Sequence, residues 1–363
     1  MSADRPRFEI SKSTLHLGEH RVAHAQGVFD VHFFRDLANE TTAMAITVGD
    51  PTAGQPLLAR VHSACVTSES LMGRDCDCRE QLEGALATMA RAGRGVLFYL
   101  LQEGRGAGLT AKARDRMMVQ ASGNRITTFE AYAAMGLPPD LRRYDLVAPM
   151  SRLLGVQAPL RLLTNNPEKA EAVAEVLATE KIDLLGTESI QGPTSPFNRD
   201  YLSAKQASGH ALDAPGRLVG ASPPVEVRVF DPVALPGDDR RVVTASYFLP
   251  VSLPATGAAG VEWFRMSVVY DRDREKESVL LSRGEETLDL EQLAHVRMGL
   301  LDRLPFPRAA GRAALADALQ TIRERGSGAV SIVLDERDVA TPSAGDGEGA
   351  GCSHGPGEGD GAA

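Results

Sequence analysis

The sequence predicts an α/β fold: a layered mixed sheet flanked by helices, followed by a smaller C-terminal α+β domain. Three observations predict it. Over residues 27–214, short apolar runs alternate with stretches of helical periodicity, the pattern of strands layered against helices. At 213–216 and 222–224 proline and glycine interrupt that texture and set the expected domain boundary. Beyond it, strand-like runs come in succession and helical ones follow, as in a small α+β unit. The expected organisation is therefore a lead-in at 1–26, an α/β domain at 27–214, an α+β domain at 215–339 and a Gly/Asp/Glu-rich tail at 340–363, too poor in apolar groups to order.

The lead-in is polar, with Phe8-Glu9-Ile10 suiting a short strand or hairpin. Residues 43–48 and 57–62 are apolar runs bounded by turn residues and read as strands, the first closed by Gly49-Asp50-Pro51. From 79 to 92, Leu82, Ala85, Leu86 and Met89 fall at i, i+3, i+4 and i+7, one face of a helix, and Gly93 supplies the stop. Residues 96–101 read as a buried strand, and helices are expected near 110–119, 129–135 and 146–154. A strand at 160–163 runs into Asn166, a good N-cap, and Pro167, a natural first helical residue, so a helix should follow to about 177. In the second part, strands are expected at 225–230, 241–248, 263–270, 277–281 and 330–334, and helices at 290–301 and 308–325. No internal repeat is visible.

A length of 363 residues with 43% hydrophobic content suffices for two cores. The net charge of −9 argues against a broad footprint for nucleic acid or an anionic membrane, while leaving room for a local basic pocket for one phosphorylated ligand. Four cysteines, three of them clustered, give no disulfide framework, which fits a reducing cytoplasm. The start has no apolar stretch after its charges, and no run of about 18 apolar residues occurs, so the chain reads as soluble and not exported. Cys352 and His354 lie in the Gly-rich tail and read as stray residues.

Cys65, Cys76 and Cys78 form a Cys-x10-Cys-x-Cys cluster. Three thiolates can hold Zn²⁺ and leave the fourth tetrahedral position for a water, the arrangement of a catalytic rather than a structural site. Core packing or a redox thiol is the alternative use of such cysteines. His62 is a rival fourth ligand that would close the site. Residues 103–108, Glu-Gly-Arg-Gly-Ala-Gly, follow a buried strand and precede a helix, where open α/β sheets place anion-binding turns; a plain tight connection is the alternative, and Arg105 favours the anion. Thr164 to Lys169 offers a second helix N-terminus with a hydroxyl and an ammonium. Two such places in one domain favour a nucleoside triphosphate.

These motifs together resemble the GTP cyclohydrolase II family. The resemblance rests on Ala59-Arg60-Val61-His62-Ser63, the three cysteines, Gln81-Leu82-Glu83, Gln102-Glu103-Gly104-Arg105-Gly106, the segment 131–142, Arg161-Leu162-Leu163-Thr164-Asn165-Asn166-Pro167, and finally Tyr201-Leu202-Ser203-Ala204-Lys205 with Gly209-His210. It spans residues from about 27 to about 212. It implies that Cys65, Cys76 and Cys78 bind one Zn²⁺ per chain, which activates a water toward carbon 8 of guanine with loss of formate. It also implies that Asp140 and Arg142 carry catalysis, Arg142 as nucleophile toward the α-phosphorus with Asp140 as proton acceptor. Arg60, Val61, His62, Ser63, Ala64, Gln81, Glu103, Gly104, Arg105, Thr128, Thr164 and Lys169 match the family's GTP contacts. Mg²⁺ accompanying the triphosphate and a homodimer are further implications, with no nucleic acid and no membrane as partner.

The sequence also departs from the family pattern. Ala64 stands where the typical text has glutamate, and Asp75-Cys76-Asp77-Cys78-Arg79 replaces an Arg-Cys-Asp-Cys-Gly run. After Lys112-Ala113-Arg114, where the family carries a catalytic tyrosine, this chain reads Asp115-Arg116-Met117-Met118, with Arg116 at the ungapped position and Met117 there after a small shift. A phenol can both donate and accept a proton during hydrolysis of a formyl amide; a permanently charged guanidinium cannot. The expected product is therefore either a diaminopyrimidine nucleotide plus formate or a formamidopyrimidine nucleotide. A paralogue acting on another nucleotide or on a uracil-derived substrate, and a catalytically silent nucleotide-binding protein, are the competing readings.

Overall fold

A computed structural model describes residues 13–334 except 25, 215, 217, 236, 254–259, 285–292 and 306–309. The expected Phe8-Glu9-Ile10 strand and the Gly-rich tail lie outside the described residues. Among the described residues the strands form two sheets.

The first sheet is mixed and seven-stranded, in the order β1-β2-β3-β5-β4-β6-β7. β1 (Thr14–His24), β2 (Gly27–Asp36), β3 (Thr41–Val48) and β5 (Gly95–Leu100) pair antiparallel. β4 (Leu57–Ser63), β6 (Leu160–Leu163) and β7 (Leu184–Glu188) extend it from β5 in parallel. The expected lead-in is therefore an integral edge strand from Thr14 onward. β5 is buried along its whole length, as its unbroken apolar text requires of a strand covered on both faces.

Helices cover both faces. α2 (Cys78–Ala92) packs Leu82, Ala85, Leu86 and Met89 beneath Phe29, Val31 and Leu97, and ends at Gly93 in the left-handed conformation, φ 70°. Burying Leu82, Leu86 and Met89 contributes about 1.5–3 kcal/mol each, which outweighs the helix's modest intrinsic propensity. α5 (Val147–Leu153) and α6 (Pro167–Ala178) cover the other face, where Val147, Met150, Val173 and Leu177 meet Val61, Phe98 and Leu162. Asn166 caps α6 as expected, its side chain accepting from Lys169 N at 3.3 Å. α1 (Val66–Glu69), α3 (Leu109–Ala121), α4 (Thr128–Ala134) and α7 (Arg199–Ala207) gather at the carboxyl ends of the parallel strands.

The second sheet runs β12-β13-β11-β10-β9-β8. Its strands are β8 (Val233–Leu235), β9 (Asp238–Ser252), β10 (Val261–Asp271), β11 (Lys276–Arg283), β12 (Ala294–Met298) and β13 (Gly328–Leu334), backed by α8 (Ala310–Arg325). Two expectations fail here. Residues 225–230 form no strand: Val227 reaches the core, but Val225 and Val229 are 56% and 51% exposed and no neighbouring strand pairs with the segment among the described residues. The helix expected at 290–301 is, over its described part, the strand β12 followed by a short 3₁₀ turn at Leu301–Arg303. Val296 and Met298 face the core with period two and pair with β13, so tertiary pairing overrides the helical reading.

The second sheet does not stand apart. Its Tyr247, Leu249 and Phe264 share one core with Val66, Leu71, Met72, Leu109, Ala113 and Met117. Gln120 of α3 donates to Phe248 O at 2.7 Å and accepts from Phe248 N at 2.9 Å.

Candidate active site

β4 connects to β5 on one side and the chain later returns as β6 on its other side, so the winding of the sheet reverses at β4. Ligands of open α/β sheets bind outside the carboxyl ends at such a reversal. Residues 63–65 leave β4 there, 102–105 leave β5 and 164–169 leave β6. They enclose two connected hollows. A cavity of about 350 Å³ is lined by Arg60, His62, Arg142, Thr164, Lys169 and Lys205 among others. A cleft of about 80 Å³ holds Cys65, Cys76, Cys78, Glu103, Lys112 and Arg116. Ser63, Cys78, Arg105, Arg142 and Tyr201 border both.

In the cleft the three Sγ atoms lie within 4.8 Å of one another, with Cys65 and Cys76 at 3.6 Å. Among the described residues no fourth His, Cys, Asp or Glu atom joins them. Lys112 Nζ stands 3.0 Å from Cys65 Sγ and 2.8 Å from Glu103 Oε1. Hydrogen bonds from Cys76 and Cys78, together with the Lys112 ammonium, hold the Cys65 thiol well below its ordinary pKa despite burial. The donor set therefore fits a thiophilic divalent ion: three converging sulfurs, one already favoured as thiolate, and an adjacent cation to offset the negative charge of the ligands.

Glu103, expected as a substrate contact, is committed within the protein. Its carboxylate accepts from Val66 N at 2.5 Å, from Gly104 N at 2.9 Å and from Lys112, while burial pushes its pKa up. It thus ties the end of β5 to the cysteine turn. Gly104 and Arg105 both take positive φ, 58° and 53°. At Gly104 a Cβ would sit 3.2 Å from Lys112 Cβ and 3.3 Å from the Tyr132 hydroxyl, so the turn has room for hydrogen alone. Arg105 lies over the Phe129 ring at 4.0 Å, its guanidinium at the mouth of the cavity.

His62 does not close the metal site. Its Nε2 lies 2.6 Å from Glu69 Oε1, whose other oxygen accepts from the Tyr99 hydroxyl at 2.5 Å, and the His62 and Tyr99 rings stack at 5.6 Å. This buried trio anchors α1, and with it Cys65, to β4 and β5. Burial lowers the His62 pKa, its Nδ1 has no hydrogen-bond partner among the described residues, and the residue lines the cavity.

Cations dominate the cavity. Arg60 donates to Leu163 O at 2.7 Å and to Gln81 Oε1 at 2.6 Å; burial brings its pKa down to about 10. Gln81 passes the chain of bonds on to Asp77 at 2.6 Å, and Lys205 meets the other Asp77 oxygen at 3.1 Å. Lys169 reaches Val61 O at 3.2 Å and is held well below its ordinary pKa, first by burial and then by Arg142 and Arg60. Thr164 lines the cavity with its hydroxyl accepting from Asn166 N. Asp140 grips the Arg142 guanidinium, with Nε at 2.9 and 3.0 Å from its two oxygens. Against the effect of burial on each, that contact raises the Arg142 pKa and lowers that of Asp140. Ala64 and Thr128 face the cleft, Thr128 donating to Asp115 at 2.7 Å.

Arg116 lies 3.3 Å from Asp75 and over the Tyr201 ring at 4.7 Å. The acidic residue before Cys76 thus faces a basic residue of α3 that borders the cleft. Lys112, Asp77 and Glu69 were not singled out from the sequence as site residues, because their partners lie in other elements. The only local signal was the Lys112-Ala113-Arg114 motif.

The family model described as GTP cyclohydrolase II matches residues 16–178. A GTP cyclohydrolase-2 of Azotobacter vinelandii is 41% identical over 189 residues, 51% of this chain and 86% of that protein. The chain belongs to the GTP cyclohydrolase II family. Further GTP cyclohydrolase-2 relatives come from Pseudomonas putida, 40% identical over 187 residues, and from Shewanella loihica, 38% identical over 189, covering 51% of this chain and 86% and 87% of theirs. A solved two-domain 3,4-dihydroxy-2-butanone 4-phosphate synthase from A. baumannii aligns at 18% identity with a TM-score of 0.27, over 50% of this chain and 40% of that one. As a GTP cyclohydrolase II family member this chain is an enzyme whose relatives are little more than half its length. The region bearing the second sheet lies beyond the segment that the family model matches. Among the described residues no helix is long and apolar enough to cross a membrane.

Proposed function

We propose that this chain opens the imidazole ring of GTP, releases pyrophosphate and, with arginine at position 116, leaves a formamidopyrimidine nucleotide where the complete reaction gives a diaminopyrimidine nucleotide plus formate. The observation that carries the reading is the union of a cation-lined cavity with a three-thiol cleft through shared walls at Ser63, Cys78, Arg105, Arg142 and Tyr201. The cavity has the charge for a triphosphate, accompanied by Mg²⁺, and the cleft lies where the base would reach.

Cys65, Cys76 and Cys78 would hold zinc, which when bound supplies Lewis acidity toward a water in the cleft. The remaining chemistry belongs to the protein. Arg60, Lys205 and Arg105 offer positive charge to the phosphates, and an anion beside Lys169 would favour its charged form, which burial first and then Arg142 and Arg60 disfavour. Asp140 aims the Arg142 guanidinium at the passage between the hollows. Attack by Arg142 on the α-phosphorus would require Asp140 to take its proton against the shifts of both groups, so the pair is better suited to stabilising charge on the departing pyrophosphate. Arg116, paired with Asp75, cannot shuttle a proton to a formyl amide, which supports retention of the formyl group. A cytoplasmic homodimer is part of the same proposal.

The test is mass spectrometry of the products from zinc-loaded protein with GTP and Mg²⁺, with formate and pyrophosphate assayed in parallel. Pyrophosphate with a formylated pyrimidine and no free formate is expected. Stoichiometric formate would remove the retained formyl group from the proposal, and unchanged GTP would redirect it to another nucleotide, a reading that the missing acidic group at Ala64 favours.

A further inference from the structure

A second group of metal-ligating side chains lies on the first sheet, far from the thiols in sequence and on a different element. His16 and Glu19 of β1 and His32 of β2 bring one nitrogen or oxygen each to within 4.8 Å of one another. His16 Nε2 is 3.3 Å and Glu19 Oε2 3.1 Å from His32 Nδ1. Donors bound at about 2.0–2.1 Å around a tetrahedral ion stand roughly 3.3 Å apart, so this spacing is that of a ligand set.

The backbone makes the grouping. In a regular strand, residues 16 and 19 would point to opposite faces. The β1–β2 register shifts between His16 and Gly18: His16 opposes Phe34, Gly18 opposes Phe33 and Glu19 opposes His32. The extra residue, Leu17, turns Glu19 onto the face of His16, and Gly18 accommodates the bulge at φ 145°. His32 and Phe34 share that face of β2. The His16 ring stacks on Phe34 at 5.0 Å, which holds it over His32.

The outer shell fits as well. His32 is buried, and its Nε2 lies 3.1 Å from Thr47 Oγ1 on β3. A proton donated from Nε2 to that hydroxyl leaves the Nδ1 lone pair facing His16 and Glu19, the device by which a second-shell oxygen sets the tautomer of a metal-bound imidazole.

We propose that His16, Glu19 and His32 form a second metal site, selective for a divalent transition ion of zinc type, with solvent completing the coordination. Two imidazoles and one carboxylate suit Zn²⁺ and its neighbours better than Mg²⁺ or Ca²⁺, which prefer all-oxygen sets. An ion there joins the edge strand β1 to β2 across a bulge, the point at which the ladder is weakest. It has no part in ring opening.

The experiment compares the untagged full chain with the H16Q/E19Q variant, both saturated with Zn²⁺, freed of excess by gel filtration and analysed by elemental mass spectrometry. The parent is expected to hold one ion more per chain than the variant, and GTP turnover should be the same in both. Thermal unfolding gives a second reading: added Zn²⁺ should raise the midpoint of the apo parent by more than that of the apo variant. Equal metal content in the two proteins overturns the assignment, whatever the thiol cleft retains.

Discussion

The two hollows of the active site differ in how they are held. The nucleotide cavity is built from the ends of β4 and β6 and the start of α6, and its cations are fixed by bonds inside the first sheet's own layer, Arg60 to Leu163 and Lys169 to Val61. The thiol cleft leans on the second sheet instead. The loop leading to Cys76 pairs with β9: Gly73 bridges Val251, Arg74 N donates to Pro250 O at 2.8 Å, and Ser252 N donates to Met72 O at 3.0 Å. Helix α3, which carries Lys112 and Arg116, is tied to the same strand through Gln120 and through Arg114, which donates to Thr244 O at 2.9 Å. Asp75 and Arg116, which face each other, lie on the buttressed side. The second sheet thus braces the elements of the cleft, and among the described residues none of its strands lines the cavity.

That contrast can be broken at several points. Cys76→Ser should lower the metal content by one ion per chain and abolish turnover together, while leaving GTP binding to the cavity measurable by calorimetry; loss of binding as well would mean that the hollows are not separable. Arg116→Met should destabilise the fold by about 3 kcal/mol or more in urea unfolding, because it leaves Asp75 buried without its cation, and Asp75→Asn in the same chain should restore most of that. His210 tests the cavity through pH. Burial first, then Lys205 and Arg142, bring its pKa from 6.5 down to about 4. The unfolded chain therefore takes up this proton before the folded one does, and its contribution to stability falls as pH drops from 6.5 toward 4. A bound triphosphate raises that pKa, so nucleotide affinity should increase over the same descent by about tenfold at most, with proton uptake seen as a buffer-dependent binding enthalpy. Smallest is Gln120→Ala, which removes both bonds to Phe248 and should lower stability by about 1–3 kcal/mol while slowing turnover more than it weakens GTP binding.

Much of the first sheet was legible because its signals are local. Asn166 and Pro167 start α6 by capping chemistry, and Leu82, Ala85, Leu86 and Met89 define the buried face of α2 by spacing alone. Where the sequence misled, the deciding contact was distant. Residues 225–230 alternate like a strand but find no ladder, and β12 becomes a strand because β13 lies beside it. The thiols could be read from their own spacing, whereas the contacts of Lys112 with Cys65, of Glu69 with His62 and of Asp77 with Lys205 reach across elements and could not be read from the neighbouring sequence. The rival reading of His62 as a fourth ligand, which its nearness to Cys65 in sequence allowed, is set aside by its carboxylate partner Glu69.

The bridge between Gly73 and Val251 has a consequence for biosynthesis. The two residues are roughly 180 positions apart, so the loop that presents Cys76 cannot be clamped until β9 has left the ribosome. A nascent chain carrying all three thiols would have the loop before Cys76 unbraced until β9 is made. The fixed spacing of the thiols is thus a product of long-range folding, set only once a strand far downstream has joined the loop.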